Sequence, residues 1–171
     1  LDGDGDNDVL SASSGDDKVA WYENLGGGTF GTQQVITTQA HLVRTVYACD
    51  LDGDGDNDVL SASTGDDKVA WYENLGGGSF GVQQVITTAV RSRSVYATDL
   101  DGDGLPEIFL PSARRRSIRV MRYEDGELKL LGRDFYDAQI VGDFRTEDLD
   151  GNAMVEVIFQ LDDGREVRLY R

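Results

Sequence analysis

The sequence predicts an all-β fold, and three observations carry that expectation. The chain repeats itself: residues 1–38 and 51–88 match at 35 of 38 positions, differing only at Ser14/Thr64, Thr29/Ser79 and Thr32/Val82. Its apolar stretches are short, rich in Val, Ile, Tyr, Trp and Thr, and bounded by Gly and Asp turns. No window carries a convincing helical period.

Four strands are predicted in the second repeat. The first, Asp58–Ser63, follows an acidic loop, and Lys68–Asn74 follows the Gly65-Asp66-Asp67 turn. Gln83–Thr88 comes after the Gly76-Gly77-Gly78 turn, and Ser94–Thr98 leads into the next acidic loop. Strands and turns of these lengths suit antiparallel hairpins. Aligned on the second Asp of each acidic loop, the repeats start at Asp2, Asp52, Asp101 and Asp150, a period of 49 or 50 residues. Repeats of roughly 1–49, 50–98, 99–147 and an incomplete 148–171 make one repeat domain. Four strands in such a period predict four-stranded antiparallel blades of a β-propeller, here about three and a half of them. The acidic loop then joins the innermost strand of a blade to the second. Val69-Ala70-Trp71-Tyr72 is apolar on both faces, as a strand covered on both sides requires.

The third repeat drifts. Arg114, Arg115 and Arg116 replace the Gly-Asp-Asp turn, and aligning Val120–Glu124 with Val69–Glu73 puts Arg122 in the place of Trp71. The fourth repeat offers strands near Ala138–Phe144, Val155–Gln160 and Arg165–Tyr170. With fewer than four full blades, one blade edge stays open unless further chain or a second copy covers it. The chain begins inside a loop whose first Asp is missing, the expected appearance of a piece of a longer protein.

The acidic loops hold the chemistry. Asp50-Leu51-Asp52-Gly53-Asp54-Gly55-Asp56-Asn57-Asp58 packs five carboxylates into nine residues, which repel one another unless a cation sits among them. Hard oxygen donors at alternating positions, with glycines that let the backbone turn, describe a calcium loop. Asp50, Asp52, Asp54 and Asp58 would give side-chain oxygens and Asp56 its backbone carbonyl. An EF-hand would need a bidentate Glu at position 12, where Ser61 stands, and helices on both sides. The nonapeptide β-roll frame is absent too. What remains is a nine-residue frame closed by an acid: Asp8, Asp58, Glu107 and Glu156.

Asp-Leu-Asp-Gly-Asp-Gly-x-x-Asp/Glu followed by a short apolar strand resembles the FG-GAP repeat family and the related bacterial VCBS-type repeats. The resemblance implies calcium ligands at Asp2, Asp4, Asp6 and Asp8 in the first loop, and at Asp50, Asp52, Asp54, Asp56 and Asp58 in the second. In the third it implies Asp99, Asp101, Asp103, Leu105 (carbonyl) and Glu107. In the fourth it implies Asp148, Asp150, Asn152, Met154 (carbonyl) and Glu156, giving three to four structural Ca2+ sites. The fourth loop carries Ala153 where the others carry Gly5, Gly55 and Gly104. Ser-Ala-Ser at 11–13 and 61–63 replaces the Gly-Ala-Pro of the family name, so integrin ligand recognition does not transfer.

Composition agrees with this reading. The chain carries 32 acidic and 16 basic residues, a formal charge of −16. Four divalent cations would bring it to about −8, ordinary for a soluble domain. Nucleic acid is disfavoured as a partner, and no apolar run is long enough for membrane insertion. The single cysteine, Cys49, excludes an internal disulfide.

A binding or adhesion module on the cell surface or secreted is therefore expected, with a glycan or protein as ligand. The chain is not expected to be an enzyme. Its one histidine, His41, builds no catalytic set, and Asp16-Asp17 and Asp66-Asp67 read as solvated hairpin turns. The alternative is the propeller portion of a secreted carbohydrate-active enzyme such as a polysaccharide lyase. Trp21 and Trp71, mid-strand, are expected to pack between blades rather than stack on sugars. The crossovers between blades are where the two near-identical repeats stop matching. Loops that vary on a constant framework are the expected place for a ligand. That face would carry His41, Arg44, Arg91, Arg93, Arg114, Arg115 and Arg116.

Overall fold

A computed structural model describes residues 1–88, 93–112, 117–135, 140–147, 156–161 and 163–169. Fourteen strands run through these residues: β1 (Val9–Ser13), β2 (Lys18–Tyr22), β3 (Gln34–Thr37), β4 (Val43–Cys49), β5 (Asp58–Ser63), β6 (Val69–Tyr72) and β7 (Gln84–Thr87), then β8 (Tyr96–Thr98), β9 (Glu107–Ser112), β10 (Ser117–Glu124), β11 (Glu127–Phe135), β12 (Ile140–Glu147), β13 (Glu156–Leu161) and β14 (Glu166–Leu169). They form four antiparallel sheets ordered β1-β2-β3, β4-β5-β6-β7, β8-β9-β10-β11 and β12-β13-β14. The fold is all-β, with no helix among the described residues.

Each four-stranded sheet takes its first strand from the end of the preceding sequence repeat. β4 closes the first repeat but pairs with β5 of the second, placing Cys49 opposite Asp58 across the mouth of the acidic loop. The loop is thus a β4–β5 connection, and the loop at 99–106 connects β8 to β9 in the same way.

The core lies between the sheets, because alternate residues of each strand face opposite neighbours. Val59, Ala70 and Tyr72 pack with Val19, Leu10 and Ile36 of the first sheet. Leu60, Ala62, Val69 and Trp71, on the other face, pack with Ala97, Ile108, Leu110 and Met121 of the third. Phe109 and Ile118 then meet Val157, Phe159 and Leu161 of the fourth. β5 and β9 are consequently buried along their whole length. The identical run Val9–Ser13 in β1 is not: Val9 is 42% exposed and Val59 fully buried, since a sheet lies against both faces of β5. Trp71 meets Tyr123 of the third sheet edge-on with ring centroids 4.9 Å apart. Trp21 lies so close to Gly78 that a Cβ there would fall 2.3 Å from its Cζ2. Both tryptophans therefore pack between sheets.

One assignment needs correction. Val59 pairs with Tyr72 in the second sheet, and Ile108 with Met121 in the third. Val59 and Ile108 each follow the closing acid directly, so Val120 takes the place of Trp71 and Arg122 that of Glu73. The similarity of Tyr123-Glu124 to Tyr72-Glu73 suggests an alignment two residues off, but the ladder keeps the 49-residue offset, with Ala62 opposite Val69 and Pro111 opposite Ile118.

Candidate metal centre

The second acidic loop is folded by its own carboxylates. Asp50 accepts the N–H groups of Gly53 and Gly55, at 2.8 and 3.0 Å, one on each oxygen. Asp52 accepts from the N–H of Asp54 and Asp54 from that of Asp56. Gly53 and Gly55 sit at φ of 80° and 100°, in the left-handed region that side chains avoid. This arrangement brings oxygens of Asp50, Asp52 and Asp54 within 4.8 Å of one another.

Two anchors fix the loop to the core. Leu51, fully buried, enters the layer between the second and third sheets. Its N–H donates to Asp58 Oδ2 at 3.2 Å, and Asn74 N–H donates to Asp58 Oδ1 at 2.7 Å. The closing acid thus fastens the start of the loop to the end of β6. Burial pushes the Asp58 carboxyl up to about 6, against those two hydrogen bonds. The Asn74 amide also donates to the Asn57 carbonyl, and its Oδ1 accepts from Gly76 N–H, tying the triple-glycine turn to the acidic loop. A Cβ on Gly76 would lie 3.5 Å from Asp56 Oδ2, so the two connections share one side of the sheet.

The other loops use the same frame with different results. In the first, Asp2 and Asp4 accept from Asp4 and Asp6 N–H, and Asp8 is held by Asn24 N–H and by Leu1. No carboxylate trio of the kind found in the second loop forms there among the described residues. In the third, Asp99 accepts from Gly102, Asp103 and Gly104, and Glu107 from Leu100 N–H at 2.9 Å. Asp99, Asp101 and Glu107 come within 4.8 Å of one another. Leu105 N–H donates to Asp103, and the Leu105 side chain reaches back to Gly53 of the second loop. Asp148, Asp150, Asn152 and Met154 lie outside the described residues; Glu156 is buried at the start of β13.

The electrostatics differ as well. No basic side chain pairs with Asp50, Asp52 or Asp54 among the described residues. Burial, together with repulsion from Asp54, Asp50 and Glu73, raises the Asp52 pKa even though Asp54 N–H hydrogen-bonds to it. Three converging carboxylates of this kind suit a hard divalent cation. In the third loop Arg122 donates to Asp101 and Asp103 at 2.7 and 2.8 Å and makes a still closer contact to Glu107. Burial disfavours the guanidinium charge, but the bonds to Glu107 and Asp101 outweigh it and hold its pKa above the ordinary arginine value. Glu73, Asn74 and Arg122 carry functional weight that the sequence reading missed. Their signal was the polar Glu-Asn pair ending an otherwise apolar strand in both matching repeats, and its replacement by Arg-Tyr in the third.

On the opposite side of the sheets, the 38–42 crossover is clamped between two turns. His41 Nδ1 lies 2.9 Å from Asp17 Oδ2, and Leu42 N–H donates to Asp17 Oδ1. Gly65 N–H donates to the His41 carbonyl, and Arg44 Nε reaches Thr64 Oγ1 at 3.3 Å. Thr45 donates to the Arg93 carbonyl, so His41, Arg44 and Arg93 gather at this end. Arg91, Arg114, Arg115 and Arg116 lie outside the described residues. The aspartates of the turns are not simply solvated: Asp17 holds the crossover, and Asp66 accepts from Ser63 at 2.5 Å and pairs with Lys68 at 2.9 Å.

Comparison with known sequences fits this geometry. The FG-GAP-like repeat matches residues 1–61 and again 50–110, covering both complete acidic loops of the second and third repeats. The chain belongs to the FG-GAP-like repeat family. No curated protein matches it. Among solved structures, an Agrocybe aegerita lectin, described as recognising non-reducing terminal N-acetylglucosamine, shares the fold with a TM-score of 0.58 at 18% identity. The likeness covers 91% of this chain and 47% of the lectin, so the chain spans about half that protein's length. No helix among the described residues is long and apolar enough to cross a membrane.

Proposed function

We propose that the chain forms blades of a β-propeller, that its second acidic loop binds calcium as a structural cation, and that it serves outside the cell as a non-catalytic binding module for a glycan or protein. The observation that carries the calcium reading is the convergence of Asp50, Asp52 and Asp54 without a basic partner among the described residues. Calcium would supply the positive charge that lets the loop close, with Asp50, Asp52 and Asp54 as its holders. A structural site of this kind suits the high free calcium outside cells.

Chelator should lower the melting temperature, calcium should restore it, and magnesium should restore it poorly, because its small shell resists irregular geometry. Superimposed melting curves with and without chelator would sink the structural-calcium reading. Binding of N-acetylglucosamine-terminated and anionic glycans on an array is the first ligand test, motivated by the lectin of like fold. Ligand contact is assigned to the crossover side, where His41, Arg44 and Arg93 gather. A double Arg44→Ala, Arg93→Ala variant should lose affinity and keep its calcium-dependent melting. Affinity lost instead on altering the triple-glycine turns would move the site to the acidic-loop side.

A further inference from the structure

We infer that the third acidic loop carries its own cation, the Arg122 guanidinium, and takes up no calcium. The loop has the same backbone frame as the second: Asp99 gathers the Gly102 and Gly104 amides as Asp50 gathers those of Gly53 and Gly55. The difference arrives from the neighbouring strand. Arg122 pairs with the closing acid Glu107 in the β9–β10 ladder, and the 49-residue offset puts Glu73, the residue just past the last paired residue Tyr72, at the corresponding place in the second repeat. A side chain that adds negative charge to the second loop is thereby replaced by one that adds positive charge to the third.

The guanidinium makes full use of that place. Nε bonds Glu107 Oε1 at 2.7 Å, Nη1 bonds Asp103 Oδ2 at 2.8 Å, and Nη2 bonds Asp101 Oδ2 at 2.7 Å while also touching Glu107. Those three carboxylates are among the ones the repeat frame offers to a metal. Arg122 is only 11% exposed, and its strand is held on both sides by β9 and β11. A planar, permanently charged fork satisfies converging carboxylates with directed, charge-assisted bonds. A divalent ion would have to take the same oxygens at about 2.3–2.6 Å, with a like charge beside it. The donor set of the third loop therefore does not fit calcium, and its closure is independent of the metal.

The comparison with the second loop rests on the calcium reading above, while the statement about the third loop stands apart from it. Calcium bound per chain, counted by equilibrium dialysis, separates the two. Arg122→Glu, which restores the acid of the first two repeats, should bind one calcium more than the wild type. Arg122→Gln should gain the same ion with weaker affinity, and it decides the matter if the charge reversal fails to fold. Asp54→Asn should bind one fewer than the wild type. If both Arg122 variants fold, by circular dichroism, and keep the wild-type count, the inference is overturned. An unchanged count in Asp54→Asn would instead defeat the calcium reading of the second loop, leaving the Arg122 result to stand or fall by itself.

Discussion

The second and third acidic loops share a backbone frame and differ in the charge set against their carboxylates. Both have a leading Asp that caps the loop amides, two glycines at positive φ and a buried leucine whose N–H meets the closing acid. The loops close differently, Asp56-Asn57-Asp58 against Leu105-Pro106-Glu107. The chain opposite the closing acid differs in charge, with Glu73 just past the last paired residue Tyr72 in one sheet and Arg122 in the ladder of the other. The loop's shape is local, specified by its own nine residues, whereas its charge balance is set 15 residues after the closing acid, by Glu73 just past β6 or by Arg122 on β10. Shape and cation demand are therefore separable, and the sequence of the loop alone does not report both.

The largest expected effect tests what the two loops have in common. Leu51→Ala and Leu100→Ala each remove a buried anchor from a layer between sheets, and core truncations of this kind cost about 2–5 kcal/mol. Because the anchor is apolar, the two losses should be similar in excess calcium and in excess chelator, read from denaturant midpoints. A Leu51→Ala loss that disappeared in chelator would mean that the anchor matters only when a cation is present, and the shared-frame argument would fail.

Next comes the difference itself. With a dissociation constant of about 0.1 mM and free calcium of about 1 mM, one site adds roughly 1.4 kcal/mol. That stabilisation should be local. Chelation should speed amide hydrogen exchange at Gly53 and Gly55, whose N–H groups cap Asp50, and leave Gly102 and Gly104 unaffected. Equal acceleration in both loops would break the distinction between them.

Most of the fold was legible in the repeat. A 49-residue offset places strands and turns, and the expected Asp58–Ser63 is the observed β5, because bounded apolar runs leave little freedom in register. The acidic loop was legible too, since alternate Asp and Gly specify one backbone path. Arg122 was not, because residue similarity pulled the alignment two places from the true register, and only the ladder reveals which strand residue faces the closing acid. The turns were misjudged for a related reason. Asp66 looks like any turn aspartate in sequence, yet its side chain is 16% exposed and held by Ser63 and Lys68, partners that the hairpin itself brings together. Asp66→Ala should accordingly cost some stability, about 1 kcal/mol for the lost hydrogen bond, with no change in calcium bound.

The smallest effect tests how strictly the frame needs its glycines. Gly55 and Gly104 sit at φ of 100° and 94°, and a Cβ on either would meet nothing within 4 Å. Alanine there carries no clash, so its cost is backbone strain alone, about 1 kcal/mol in this region. Ala153 already stands at the corresponding place in the fourth repeat, so the substitution is one the chain itself makes. Gly55→Ala and Gly104→Ala should lower stability by the same small amount, measured as the shift in denaturant midpoint in excess calcium. Arg122 can follow a slightly shifted carboxylate, because its donors sit at the end of a flexible stem. A bound calcium ion has no stem and must be met by Asp50, Asp52 and Asp54 together. A Gly55→Ala loss well beyond that of Gly104→Ala, and one that chelator abolishes, would show that the metal demands a stricter loop than the arginine does.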